Sequence, residues 1–587
     1  MTGIVGYVGA THRVKQNAPC ITEVSGVVVN SWDEATCQLT LKAPQINVGY
    51  EFFDDERLRI DIFGDIFSAK GLVTPTSGWT TLISEEYLAG NLAGLARKLN
   101  GCFVFSIFDK VTKQLVIVND RYGLKPLYLW QEQNKVFGFS SEIKGLVLHA
   151  KCEQKLDRNA LNTFVDVGHF LGKQTLFADI TRMPPASMLC IDTLSQRCEQ
   201  SRYWQWSSIV KNNEITFEQA VDDLYGYFEQ SMQRTFATVT QDTIAITLSG
   251  GLDSRILLAA AKKHFKGEIL TYTFGEQSCD DALLAVQVSQ LAKVNNQFIS
   301  INSDNWFEGR EQGVWLTDGL KNILHMHGLS VVDEISPSSN YLVNGYLGDV
   351  TLGGSYLFSA DKNALSLEDK IAERYGEHTQ YADFESDYFA NAGSDPAFIY
   401  NRGVRHIGAG SDLLSHKLHN FKPFLDNDLV EYLYSLPDDF RRDGKLYHHM
   451  LLKFYPDYFA TIPWQQTGKP ISKQSSVKTR QGRSLKQLIV NAVKGSPVDA
   501  FARKVYQKLS GKQNYVAYDT WLRLPDFKRY IYDTLLAKDS HVCQHLTRQR
   551  VEDVIARYYK GDSSVKPEML GSLLTLELYF MKLAKLS

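Results

Sequence analysis

Hydrophobic and polar positions are patterned differently in the two parts of this chain. Up to about residue 200 the apolar residues come in short runs separated by turn residues. Gly101 to Phe108, Leu115 to Asn119 and Leu127 to Trp130 are three such runs. They are rich in Val, Ile and aromatics, and their close spacing predicts strands of stacked or sandwiched sheets. Beyond residue 205 the period lengthens. Thr216 to Phe228 follows a helical repeat, and Thr216 and Gln219 are spaced as a capping box. Thr243-Ile-Ala-Ile-Thr-Leu248 is an uninterrupted apolar strand of the kind a parallel sheet buries. A glycine-rich turn follows, then a helical Arg255 to Lys262, a strand Glu268 to Phe274 and a helix around Ala282 to Val288. Strand, helix, strand, helix predicts a doubly wound α/β unit. From about residue 360 the pattern is mostly helical. Lys469 to Lys486, rich in Ser, Gln and Lys, reads as a mobile connector.

Composition narrows the classes. At about 150 residues per domain, 587 residues imply two to four domains. Lys plus Arg (63) nearly balance Asp plus Glu (66), so charge calls for neither nucleic acid nor an anionic membrane. Aromatics at 12% argue against a disordered chain. No apolar run reaches the roughly 18 residues of a spanning helix. The opening Met1 to Ala10 is apolar but short and lacks a basic stretch before it, so no secretory signal is expected. The eight cysteines are scattered without a CxxC pair, which suits reduced thiols in a cytoplasmic protein.

The strongest chemical signal is Leu248-Ser249-Gly250-Gly251-Leu252-Asp253-Ser254, set between a buried strand and a helix. Two glycines let the backbone turn tightly and approach a ligand. Amides of the loop and of the new helix would face an anion, with Ser249 and Ser254 adding hydroxyls. Asp253 would repel phosphate unless a divalent cation lay between them.

That string resembles the pyrophosphate-binding loop of ATP pyrophosphatases. Asn344 to Gly354, with Gly345, Gly348, Asp349, Gly353 and Gly354 in place, is similar to the Gly-x-x-x-Asp-x-x-x-Gly-Gly loop of the asparagine synthetase family. Asn119 to Tyr128, Ser140 to Lys144, Lys422 to Asp426 and Gly444-Lys445-Leu446-Tyr447 resemble further elements of that family, in order. The resemblance implies an N-terminal hydrolase-like αββα domain over residues 1–205, of the glutamine amidotransferase type. An ATP-pyrophosphatase-type synthetase domain with a parallel sheet and many helices would follow over 206–587. It implies ATP and Mg2+ as cofactors, with the metal shared by Asp253 and Asp349 and pyrophosphate held by residues 248–254 and Gly345. Adenine would meet the backbone of Thr273, Phe274 and Gly275, and Lys445 would approach the reacting phosphate and carboxylate.

The glutamine-handling signature is broken. Family members that use glutamine open Met-Cys-Gly-Ile, and the thiol attacks the amide; here position 2 is Thr2. The Asn-Gly-Glu segment appears as Phe63-Gly64-Asp65, and Arg-His-Arg-Gly-Pro is missing. The N-terminal domain is therefore expected to be an inactive scaffold. The resemblance then implies an AMP-forming carbon–nitrogen ligase that activates a small-molecule or peptide carboxylate for attack by ammonia or an amine. Members without the Cys include β-lactam synthetases and lasso-peptide cyclases, so a cyclase or tailoring ligase is a second expectation and a silent nucleotide-binding scaffold a third. Tyr346 resembles the Tyr of the β-lactam synthetase loop and is the candidate for deprotonating an amine. His325 and His327 are expected to be packed or substrate-facing.

Overall fold

The computed structural model describes residues 3–43, 49–359, 362, 365–384, 386–389, 395–473 and 515–586. Thr2 lies outside them, as does the Lys469–Lys486 stretch beyond Lys473.

Twelve strands precede residue 203. They are β1 (Gly3–Val8), β2 (Val27–Glu34), β3 (Cys37–Ala43), β4 (Tyr50–Asp54), β5 (Leu58–Ala69), β6 (Leu99–Asp109), β7 (Gln114–Asn119), β8 (Tyr128–Glu132), β9 (Lys135–Ser140), β10 (Ile180–Arg182), β11 (Ser187–Asp192) and β12 (Cys198–Arg202). They form two six-stranded antiparallel sheets, β10-β8-β9-β1-β3-β2 and β12-β11-β7-β6-β5-β4. The sheets pack face to face through Ile4, Leu39, Leu41 and Phe139 of one and Phe63, Val104, Phe108 and Ile117 of the other. On β6, Phe103, Phe105 and Ile107 alternate with these and join Ile83, Leu92 and Leu95 in a second core. Both faces of β6 are thus buried, which is why Gly101–Phe108 is apolar throughout instead of alternating.

The second part is built on β13 (Thr243–Thr247), β14 (Glu268–Gly275), β15 (Asn295–Ser300), β16 (Tyr341–Val343) and β17 (His419–Phe421). All are parallel, in the order β15-β14-β13-β16-β17. Helices Leu252–His264 and Asp280–Ala292 link the first three strands, as the sequence predicts. The predicted capping box is present: the Gln219 amide donates to Thr216 Oγ1 and the Thr216 amide to Gln219 Oε1, each at 3.2 Å, at the head of Phe217–Ala237. Among the described residues no helix is long and apolar enough to cross a membrane.

The two parts are joined by buried polar groups. Lys144 Nζ lies 2.5 Å from Glu142 and 3.0 Å from Asp318, all three almost fully buried. Asp318 also accepts the amides of Ile143 (2.7 Å) and Lys144 (3.1 Å). It sits at φ +52, so the Asp318-Gly319 turn aims a carboxylate at the N-terminal sheets and not at a substrate. Burial works against each charge, yet the two carboxylates hold Lys144 above its usual pKa and Lys144 holds Glu142 below its own. Asp318 is left raised by its burial. Elsewhere Asn100 donates to Asp426 at 2.9 Å and accepts from the Asn427 amide at 3.0 Å.

Removing one member of such a buried set strands the others. Lys144→Met is expected to lower unfolding free energy by about 3–5 kcal/mol, measured as a lower urea midpoint. An unchanged midpoint would show that the triad adds nothing.

Candidate active site

In an open parallel sheet the crevice lies where strand order reverses, at the carboxyl ends of the strands. Here that point is between β13 and β16. The loop after β13 leads into Leu252–His264, and the loop after β16 leads into Gly348–Thr351. The Asp349 amide donates to Asp253 Oδ2 at 2.7 Å, and Tyr447 OH donates to Asp253 Oδ1 at 3.1 Å. A Cβ on Gly348 would stand 2.5 Å from the Asp253 carboxyl carbon, and one on Gly345 would stand 3.3 Å from the Ser254 amide. These glycines let one loop lie directly against the other. Burial, and then the neighbouring Asp349 carboxylate, push Asp253 well above the usual carboxylate range. Asp349 is also raised by its recessed position, although its side chain opens onto the cavity. Two hard oxygen ligands from facing loops, each penalised for carrying charge, form a donor set suited to Mg2+ shared with a phosphate.

The anion cradle is partly occupied by the protein itself. The Ser249 amide donates to Ser254 Oγ (3.0 Å) and the Gly251 amide to Ser249 Oγ (3.2 Å). The Gly250 amide donates to Asp281 Oδ1 at 2.7 Å. Arg255, buried, donates to the carbonyls of Gly250, Tyr458, Ile462 and Pro463 and so locks the loop to the segment behind it. The two serines therefore shape the loop, and the first helical turn, Leu252 to Ser254, carries amides with no intrahelical acceptor.

A cavity of about 900 Å3 opens beside this pair. Thr247, Phe274, Asn344, Gly345, Tyr346 and Asp349 line its sheet end, and Val165 to His169 and Ser564 to Met569 its far end. Of the expected adenine residues, Phe274 lines the cavity and stacks on His327 with ring centroids 5.4 Å apart. Thr273 is buried, its hydroxyl donating to the Leu248 carbonyl at 2.8 Å. Gly275, at φ +136, takes the close approach of Tyr515, whose carbonyl accepts the Glu276 amide at 2.9 Å.

Two expected residues are turned away. Lys445 opens Lys445–Phe454 and sets its Nζ 4.6 Å over the Phe217 ring. Tyr447, two positions on, faces Asp253; residues i and i+2 of a helix point to opposite sides, so Lys445 cannot share that aim. Tyr346 is buried under Lys422, and its hydroxyl donates to the Gly403 carbonyl at 2.9 Å. His325 and His327 both line the cavity, from a short 3-10 turn and the residues after it. His449 packs on Phe217 and His448 on Trp464.

Sequence reading missed Tyr447, Asp281, Lys321, Arg402, His406 and His169. Tyr447 sits inside the Gly-Lys-Leu-Tyr element and Asp281 at the start of the helix after β14, so helical phase and capping position were signals for both. The other four converge on the cavity from three separate segments.

Comparison with known proteins finds two families in tandem. Residues 76–204 match a glutamine amidotransferase domain and residues 226–397 an asparagine synthase domain. Asparagine synthetase [glutamine-hydrolyzing] 3 of Bacillus subtilis (strain 168) is 30% identical over 171 residues, 29% of this chain and 27% of that protein. Asparagine synthetase [glutamine-hydrolyzing] 2 of the same organism is 24% identical over 401 residues, 60% and 53% of the two chains. The Bos taurus asparagine synthetase [glutamine-hydrolyzing] is 23% identical over 439 residues, 72% of each. The chain thus spans about a quarter and about half of the length of the first two relatives.

An acid whose folded pKa is raised adds stability below its unfolded pKa, and that contribution is lost as pH rises through the folded value. At neutral pH without metal the Asp253–Asp349 pair therefore weakens the fold. Asp349→Asn is expected to raise the melting midpoint by roughly 1–2 °C in EDTA and to abolish the rise that Mg2+ gives the unaltered protein. A Mg2+ response retained in Asp349→Asn would remove Asp349 from the metal site.

Proposed function

The chain belongs to the asparagine synthetase family, and from that premise we propose that it is an ATP-dependent, AMP-forming amide ligase that does not use glutamine. Residues 206–587 would carry the synthetase activity and residues 1–205 would serve as its scaffold. The observation that carries the reading is the meeting of Asp253 and Asp349 at the switch point of the parallel sheet, at the mouth of a large cavity.

The substrate carboxylate attacks the α-phosphorus of ATP, forming a carboxyl–phosphorus bond as pyrophosphate leaves. Ammonia or an amine then attacks the acyl carbon, and AMP departs with the bonding pair. Mg2+ held by Asp253 and Asp349 would neutralise phosphate charge. Tyr447 fixes the Asp253 carboxylate, and the first-turn amides of Leu252–Ser254 stabilise charge on the leaving pyrophosphate. Arg402, in the cavity wall and close enough to Asp349 to lower its pKa, can meet the acyl phosphate. Tyr346 and Lys445 have no step in this scheme, because one hydroxyl is engaged by Gly403 and the other head group lies over Phe217.

What supports independence from glutamine is the sequence, with Thr2 in place of the nucleophilic Cys and Phe63-Gly64-Asp65 in place of Asn-Gly-Glu. The Asp65 carboxylate pairs with His419 of β17 at 2.9 Å, and the cavity it lines holds only about 30 Å3, room for a water or two.

The test incubates the protein with Mg-ATP and a panel of carboxylic acids, aspartate included, with ammonium or glutamine as donor, following AMP, pyrophosphate and amide. Amide from ammonium or an amine but not from glutamine is expected. Asp253→Asn should reduce turnover at least a hundredfold, the size of effect seen on losing one electrostatic stabiliser. Amide from glutamine would overturn the donor assignment, and ADP in place of AMP the mechanism.

A further inference from the structure

Past Asp349 the cavity wall carries Lys321 and Arg402 beside the imidazoles of His406, His325 and His169; Asp166, which pairs with His378 and Arg550, and Glu568 also line it. Lys321 is 5% exposed, and its Nζ makes its one hydrogen bond among the described residues to the His406 carbonyl, at 2.9 Å. No acid lies within ion-pair distance of it among those residues, whereas the buried Lys144 and Lys422 are each paired with a carboxylate. Arg402 and His406 stand four residues apart on the π-helix Ile399–Ile407, close to one turn of such a helix, and both line the cavity. His406 lies 4.9 Å from His169 and 5.7 Å from His325, ring centre to ring centre. His169, 2% exposed, has an unpartnered Nε2, and His406 an unpartnered Nδ1.

An isolated buried cation is costly and needs a counter-charge. Hydrogen bonds to an ionised partner are the strong ones. Arg402 influences Asp349 on one side and Lys321 on the other, so these two cations and the neutral imidazoles beyond them run from Asp349 toward His169 and the far end of the cavity. At about 900 Å3 the cavity is near the upper limit for drug-sized ligands.

We propose that the acid activated here carries a second anionic group, a carboxylate or phosphate, on a body longer than aspartate, seated by Lys321, His406 and His169, with Arg402 between it and the reacting end. The reacting end of this statement rests on the ligase reading above; the anion's seat does not. The protonation of Lys321 agrees with it. Burial, then Arg402, bring its pKa down to about 7, and the facing His169 and His325 are held at about 3 by burial and neighbouring cations. His406 is likewise lowered. Among the groups of this seat Lys321 is thus the one that titrates near neutrality, and an anion binds its protonated form.

The full chain is titrated calorimetrically with suberate, octanoate, succinate and 6-phosphonohexanoate. Suberate or the phosphonate is expected to bind at least tenfold more tightly than octanoate and succinate, and the tighter of the two identifies the anion. Suberate affinity should fall between pH 6.5 and 8.5, by up to tenfold per pH unit. Lys321→Gln should erase the preference over octanoate, and Lys321→Arg, which keeps the charge, should retain it. Equal binding of octanoate and suberate by the unaltered protein overturns the inference, as does a preference that survives in Lys321→Gln. Pyrophosphate release with the same acids and Mg-ATP separates the two readings. Binding preference without any AMP removes the ligase, and AMP without the preference removes only the anion seat.

Discussion

Everything at the crevice depends on holding one carboxylate against the backbone of a facing loop. Asp253 can accept the Asp349 amide only because Gly348 has no side chain where that carboxylate sits. The contact brings a second carboxylate close to the first, and burial makes the pair unwilling to carry two charges. The remaining features follow from that tension. Tyr447 steadies Asp253, Ser355 donates to Asp349 at 3.0 Å, and Arg255 pins the loop from behind with four carbonyls. A rigid, charge-frustrated pair is what a divalent cation with phosphate relieves.

The N-terminal sheets contribute walls and anchors. His169 closes the far end of the cavity, Asp65 is engaged by His419, and the Glu142–Lys144–Asp318 set fixes the turn just before Lys321. The N-terminal domain is thus tied into the geometry of the other half. Asp318 is held by Lys144 and by the amides of Ile143 and Lys144, so the N-terminal sheets support the segment that bears Lys321.

Local signals were legible in the sequence, and convergent ones were not. The uniform apolar run 243–248, the glycine spacing around Asp349 and the Thr216–Gln219 box each write their structure within a dozen residues, and each is found. The motif around Lys445 fixes a position in sequence but not the phase of the helix it starts: Tyr447 aims at Asp253 while Lys445 lies over Phe217. The partner of Tyr346, the Gly403 carbonyl, belongs to a π-helix with no local signature, so this contact was not legible. Lys321, Arg402 and His169 become neighbours only through tertiary packing, so no window of sequence contains them together.

The wall beside Lys321 has a bearing on how the molecule assembles. Asn322 donates to the carbonyl of Glu568, 246 residues away, and to Ser572, while the Ile323 amide donates to Thr575. Closing contacts of such separation is slow, since loop entropy is lost before the contact is gained. The helix Pro567–Leu586 closes this wall through contacts far apart in sequence, so the cavity exists only where that helix has docked. Without that helix docked, the loop at 248–254 would stand beside an open cleft and not beside a walled cavity.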